Sequence, residues 1–430
     1  MTRIAALTPA VTRAMDFLED AIGAPALERV AFELWDGARW PDDTPRPATI
    51  VLKHPEALER MFGGGTEKSL AEAYLRDDFD VRGELEAAFE LADFVARLPH
   101  PDWLTMFSRH FQLLGIGGAP LRRSWRRLVR EVGEPVHSPG RDRQAVSFHY
   151  DMSNDFFALW LDPRMQYSCA YYEKNDTGLD AAQTAKLHHL CRKLRLKPRQ
   201  RVLDVGCGWG GFALFAVQHY GAQVTGVTLS PQQAALASNR ARAAGLATDV
   251  TIELRDYRDL PEAEPFDAIV SVGMSEHVGR AHLEGYFEKL GRLLKPGGVF
   301  LNHAIGEGVR PRGERGPSFI DEHVFPDSDI PPIPVVLTAA ERAGFEVRDV
   351  ENLRDHYTRT LRQWVGRLED NHERALRYVD EATYRVWRLY LAGSAHGFRT
   401  GQLGVYQALL AKPGAAGDVP LPLTRRDWYH

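Results

Sequence analysis

The run Asp204-Val-Gly206-Cys-Gly208-Trp-Gly210-Gly211 has the clearest chemical consequence in this sequence. It follows the strand-like RVLDV (201–205) and opens the helical stretch GFALFAVQHY. Glycines at such a turn let the backbone bend sharply and approach a ligand closely. A dinucleotide site would place Asp or Glu at the end of the next strand, to hold a ribose diol. That strand, QVTGVTLS, ends in Thr228 and Ser230 without an acid, which disfavours NAD. Ser230, Pro231 and Gln233 also read as a capping box, with Ser230 as N-cap, Pro231 at N1 and Gln233 at N3. Four further segments hold reactive residue types. They are Cys169 in the aromatic-rich FHYDMSNDFFALWLDPRMQYSCAYYE (148–173), Glu276 in SVGMSEHVG (271–279), His303 in LNHAIGEG (301–308) and Tyr357 in RDHYTRTL (354–361). Each alone has an ordinary account: a hydrogen-bonded structural histidine, a glutamate capping the helix beginning at 276, tyrosines as core rings.

Elements must position these groups. From about 146 the pattern alternates strand and helix. Strand-like runs are 201–205, 223–228, 249–254, 266–272 and 298–304, with a weaker one at 345–351. This alternation predicts an α/β fold, Rossmann-like, with a doubly wound, mostly parallel sheet over 146–412. Residues 1–100 read as a smaller mixed α/β domain. In it ATIVLKH (48–54) is a strand, and Leu85, Phe89, Ala92 and Ala96 recur at helical spacing. Residues 101–145 form a basic amphipathic linker. There apolar 104–116 precedes Arg122, Arg123, Arg126, Arg127 and Arg130, and Leu121, Trp125, Leu128 and Val129 fall on one helical face. Residues 413–430 read as a flexible tail.

Composition bounds the function. With 430 residues, 44% hydrophobic and 26% charged, the chain has an ordinary globular profile and room for a sizeable core. A net charge of −5 argues against a global electrostatic grip on nucleic acid. No run of 18 apolar residues occurs, the N-terminus lacks a secretory core, and three cysteines make no disulfide framework. A reducing cytosol fits this cysteine usage.

The order acid, glycine loop, strand, TLSPQQ resembles an S-adenosylmethionine-dependent methyltransferase, with FDAIVSV as a fourth strand and LLKPGGVF entering a fifth. Read together with 148–173, 271–279, 301–308, 323–332 and 354–361, the chain resembles the cyclopropane fatty acid synthase family, including the mycolic acid cyclopropane synthases. The likeness spans roughly 50 to 412 and is densest in 146–360. The N-terminal region resembles the smaller N-terminal domain of the phospholipid-modifying members. The resemblance implies transfer of a methylene carbon from S-adenosylmethionine to the cis double bond of an unsaturated acyl chain on a membrane phospholipid. It also implies bound bicarbonate as proton acceptor. Its bicarbonate-site residues fall on Cys169, Glu276, His303, Ile305 and Tyr357. Its cofactor residues fall on Tyr167, Ser168, Asp204, Gly206, Gly208, Thr228, Gln233, Asp256 and Tyr257. No metal or nucleic acid is implied. A cytoplasmic protein peripherally associated with the inner face of the cell membrane is expected, and a homodimer is compatible.

The chemistry matches these residue types. An alkene is a poor nucleophile, so positioning must supply much of the rate. The resulting carbocation needs stabilisation without water, which tyrosine faces such as those of Tyr167, Tyr171 and Tyr172 could give. Ring closure needs a base beside the cation, and Cys169 should stay a neutral thiol. Ser275 stands where a phenylalanine commonly precedes this glutamate, and SDIPP replaces a glycine-containing segment. Both bear on the product: a methylene- or methyl-branched chain would use the same motifs. A nucleic-acid or small-molecule methyltransferase and a catalytically dead lipid-binding module are the rivals from other classes.

Overall fold

The computed structural model describes residues 8–23, 28–62, 67–97, 152–310 and 329–429. The expected linker 101–145, with its arginines, lies outside the described residues, as do 148–151 and 323–328 of the motifs above. The chain divides into two compact units.

In one unit, the described residues before 98 combine with Asp380–His396. Four strands, β1 (Val30–Glu33), β2 (Arg39–Trp40), β3 (Ala48–Leu52) and β4 (Phe79–Gly83), form a mixed sheet in the order β2-β1-β3-β4. In β3 alternate residues are buried, so Ala48, Ile50 and Leu52 face the core. The helix Pro9–Ala21 opens on Thr8, whose hydroxyl accepts from the Val11 N–H, with Pro9 at its first position. The expected periodic stretch forms the helix Leu85–Arg97.

The other unit is built on β5 (Arg201–Val205), β6 (Gln223–Thr228), β7 (Val250–Leu254), β8 (Phe266–Val272), β9 (Leu294–Glu307), β10 (Glu346–Asn352) and β11 (Leu403–Ala411). They form one seven-stranded sheet in the order β10-β11-β9-β8-β5-β6-β7. β7, β6, β5, β8 and β9 run parallel, and β11 is antiparallel to both its neighbours. Both faces are buried: Ala268 and Val270 of β8 join one hydrophobic cluster, while Ile269 between them joins the other. This is why the strands read as near-continuous apolar runs. Strand order reverses at β5, with β6 on one side and β8 on the other. Open α/β sheets bind ligands at such a reversal, outside the carboxyl ends of the strands.

Two features differ from expectation. β11, unmarked in the sequence reading, inserts between β9 and β10 and is almost wholly buried. The expected flexible tail carries Trp428, only 3% exposed, in a core cluster, with Lys193 Nζ 5.2 Å from its ring centroid. A buried indole holds that end down, and Arg425 and Asp427 pair with Asp349 and Arg195.

Candidate active site

The glycine turn shapes a cavity. Gly206, Gly208 and Gly210 have φ of +79°, +53° and +76°, which L-residues with side chains rarely adopt. A Cβ at Gly211 would meet Gln166 Nε2 at 1.9 Å, so the helix Gly211–Tyr220 starts hard against the segment 164–166. The cavity beside the turn is lined by Tyr167 and Ser168, by Asp204, Gly206 and Gly208, by Thr228 and Gln233, and by Asp256 and Tyr257. All nine residues assigned to the cofactor by resemblance therefore meet around one space. Gln166, Trp209, Arg255, Met274, His277 and His282 also line it, and the sequence reading did not assign them. Gln166 sits directly before the assigned pair Tyr167-Ser168, a signal that could have found it.

Local bonds hold this wall. Ser230 caps the helix Pro231–Ala243 by accepting from the Gln233 N–H, as the capping pattern predicts. The Gln233 side chain does not complete the box. Its Oε1 accepts from the Thr228 hydroxyl at 2.8 Å, and the Ser230 N–H donates to Thr228 Oγ1. Burial raises the Asp204 carboxyl to about 7, opposed by Lys186, and its Oδ2 has no hydrogen-bond partner.

The second group of five residues converges around β9 and β11. Glu276 lies in the short turn Ser275–His277 and caps no helix; its Oε1 accepts from the Ile305 N–H at 2.6 Å. Ile305 pairs with Val405 in the sheet, and the Val405 carbonyl accepts from the Leu353 N–H. The Leu353 carbonyl accepts from both the Tyr357 N–H and the Cys169 thiol, the latter at 3.7 Å. His303 lies two residues before Ile305 on β9, opposite Gln407 of β11. Hydrogen bonds thus tie Glu276 to Ile305 on β9, and tie Cys169 and Tyr357 to Leu353, which bonds to Val405 opposite Ile305; His303 lies two residues away on β9.

Burial sets the protonation of this group. The Cys169 thiol is fully buried and raised well above its usual range, so it is neutral, as expected. Burial lowers His303 to about 3, helped by Lys186 and Lys193, so its ring is neutral at pH 7. Gln407 Nε2 lies 3.2 Å from His303 Nδ1. An amide nitrogen can only donate, so Nδ1 accepts and the proton sits on Nε2. Burial raises Glu276 to about 7. His303 Nε2 and Glu276 Oε2 are buried without partners. Orphaned buried polar atoms are costly and rare, and here one is a donor, His303 Nε2, and one an acceptor, Glu276 Oε2.

Tyr171 does not fit the role suggested for it. Its ring stacks against His189 at 4.3 Å and His356 at 4.9 Å, so its faces are occupied. Tyr167 instead packs among Phe157, Trp160 and Trp364 beside the cavity. Lys186 carries no motif that would single it out. It is fully buried in the helix Leu179–Lys193, and its Nζ donates to Gln166 Oε1 and Ser168 Oγ.

The mycolic acid cyclopropane synthetase family matches residues 137–408. The chain belongs to that family. A probable fatty acid methyltransferase of Pseudomonas putida is 40% identical over 413 residues, covering 94% of this chain and 98% of that protein. The cyclopropane-fatty-acyl-phospholipid synthase of Escherichia coli K12 is 35% identical over 394 residues, 89% of this chain and 93% of its own. Among solved structures, the mycolic acid cyclopropane synthase CmaA1 complexed with SAH and CTAB aligns with a TM-score of 0.59 at 37% identity. That alignment covers 63% of this chain and 98% of CmaA1. As a member of this family, the protein is an S-adenosylmethionine-dependent methyltransferase with the family's α/β fold.

Proposed function

We propose that the protein transfers a methylene carbon from S-adenosylmethionine to the cis double bond of an acyl chain on a membrane phospholipid, forming a cyclopropane ring, with bicarbonate as proton acceptor. The observation that carries this reading is the paired placement of the two residue groups. One lines the cavity at the strand reversal, and the other converges on β9 and β11 with two orphaned polar atoms. The relatives named as acting on fatty acyl groups support the substrate class.

The alkene π electrons attack the sulfonium methyl, the carbon–sulfur bond breaks, and positive charge appears on the acyl chain. Tyr167 and its aromatic neighbours hold water away from that charge. Loss of one proton from the transferred carbon closes the ring. His303 and Glu276 would hold a bicarbonate, since His303 Nε2 and Glu276 Oε2 are buried without hydrogen-bond partners. The chemistry bicarbonate supplies there is acceptance of that proton. Glu276, raised to about 7, can hold a proton at neutral pH. Cys169, uncharged, leaves the cation no thiolate to alkylate.

Among the described residues no helix is long and apolar enough to cross a membrane. The substrate's double bond lies inside a leaflet, so this reading includes peripheral association with the inner face of the cell membrane. The arginines at 122–130 are the electrostatic contact in it, each contributing on the order of 1 kcal/mol near an anionic surface.

A methylene- or methyl-branched product is the second reading. Ser275 favours it: this small side chain is buried beside Glu276, where it accepts from Asn302 Nδ2 at 3.5 Å. One experiment tests both readings. Purified protein is incubated with labelled S-adenosylmethionine and monounsaturated phospholipid vesicles, and the fatty acids are analysed by mass spectrometry. A gain of one CH₂ that resists hydrogenation supports the ring. A product that takes up hydrogen supports the branch. Absence of labelled lipid overturns both.

A further inference from the structure

Lys186 is 0% exposed, and lysine is almost never fully buried unless something requires its charge. Burial lowers it only to about 8, so it remains a cation at neutral pH, with Asp162, Cys169 and Asp204 opposing the shift. Its hydrogen bonds go to two neutral residues of the cavity wall, at 2.6 Å to Gln166 Oε1 and 2.9 Å to Ser168 Oγ. One turn earlier on the same helix face, Gln183 Nε2 donates to the Ser168 carbonyl at 2.9 Å. The helix Leu179–Lys193 therefore grips this wall by side chain and backbone together.

The donor inventory gives the grip a direction. An ammonium has three donors and no acceptor. Ser168 Oγ must therefore accept from it, which turns the hydroxyl hydrogen elsewhere. Gln166 Oε1 must also accept, which fixes the amide rotamer and leaves its Nε2 as the donor end, packed at Gly211 where the glycine turn enters its helix. Two wall residues that could each present donor or acceptor are thereby set to donate. Donors backed by a buried cation suit an anionic group, and the anionic part of S-adenosylmethionine is the carboxylate of its amino-acid end.

We propose that Lys186 is a positioning residue that orients Ser168 and Gln166 as donors for the carboxylate of the bound cofactor. This rests on the reading of the cavity as the cofactor site.

The test measures binding by calorimetry, with S-adenosylhomocysteine and 5′-methylthioadenosine as probes. The second probe keeps the adenosine and sulfur but lacks the amino-acid end. Wild-type binding of S-adenosylhomocysteine checks the cavity itself. The change in the ratio of the two affinities checks Lys186 separately. Lys186→Met, close in volume, should weaken S-adenosylhomocysteine by about tenfold or more and leave 5′-methylthioadenosine within about twofold. Equal loss for both probes would mean a merely structural role and would overturn the proposal; so would no loss for either. Ser168→Ala keeps the test alive if Lys186→Met folds poorly. It should show the same selective loss at smaller size, and no additional loss when combined with Lys186→Met. Independent, additive losses would show that Lys186 does not act through Ser168.

Discussion

Arg385 and Glu276 are both buried charged residues, and their two regions treat them in opposite ways. In the unit containing the N-terminal sheet, Arg385 gives its Nη1 to the Tyr74 and Phe79 carbonyls and its Nη2 to Asp77 and Asp80. Its Nε goes to Glu381. Arg388 beside it reaches the Tyr74 hydroxyl, Asp80 and the Val81 carbonyl. In the methyltransferase unit, Glu276 Oε2, His303 Nε2 and Asp204 Oδ2 are left without partners. A fully bonded buried charge fixes structure. A half-bonded one stores free energy that a ligand can release. The first region uses burial to lock its chain together, and the second uses it to hold protonation states away from their ordinary values.

The contrast is open to measurement. The largest expected effect is on Glu276→Gln. Its amide oxygen can still accept from the Ile305 N–H, so folding should survive while methyl transfer falls by about 10³-fold. Labelled-methyl incorporation with a parallel thermal melt checks both halves. Near-normal turnover would remove Glu276 from the chemistry. Arg385→Met should do the reverse, costing about 1–3 kcal/mol of stability because the Tyr74 and Phe79 carbonyls and Asp77 lose its donors while Asp80 keeps Arg388, with activity per folded molecule retained. Denaturant titration decides it, and a variant as stable as wild type would end the locking account. Trp428→Ala should cost about 3 kcal/mol, since this indole fills a core cluster; a loss within error would return 413–430 to the status of a loose end.

The two regions also differ in pH dependence. The folded-state value of Glu276 is raised from 4.5 to about 7, so the folded protein binds this proton more tightly than the unfolded chain. Its contribution is fully present below about pH 4.5 and is lost as pH rises through about 7. Wild type should therefore lose on the order of 3 kcal/mol more than Glu276→Gln across that window. Parallel slopes for the two proteins would contradict it. The smallest effect concerns Arg122→Glu with Arg126→Glu. This pair should weaken binding to anionic vesicles by several-fold, most at low salt, and leave S-adenosylhomocysteine affinity unchanged. Unaltered sedimentation with vesicles would take the membrane contact elsewhere.

Much of the parallel sheet was legible because its determinants are local. The strands 201–205, 223–228 and 266–272 fall where apolar runs and glycine turns put them, since a buried parallel strand needs little beyond its own residues to be recognised. β11 was not legible. It follows a helix directly, runs antiparallel, and owes its place to the gap between β9 and β10. The packing of residues 381–396 with 74–93 was equally silent, because it joins segments some three hundred positions apart in sequence. At the site, the motif residues were visible by type and spacing, whereas Lys186 and Gln407 were not. A lysine in a helix of mixed pattern reads as a surface residue until its neighbours are known.

Local sequence is enough to set the glycine turn and the identity of the groups around it. A positive φ or a close backbone approach admits glycine alone, and that constraint is written at the position where it acts. The tertiary structure alone decided the state of those groups. That Glu276 can hold a proton near neutrality, that His303 is neutral with its proton on Nε2, and that Ser168 Oγ accepts from a buried ammonium all depend on desolvation and on partners from other segments. Desolvation and hydrogen-bond direction are properties of a filled space, and no stretch of chain carries them until the rest has closed around it.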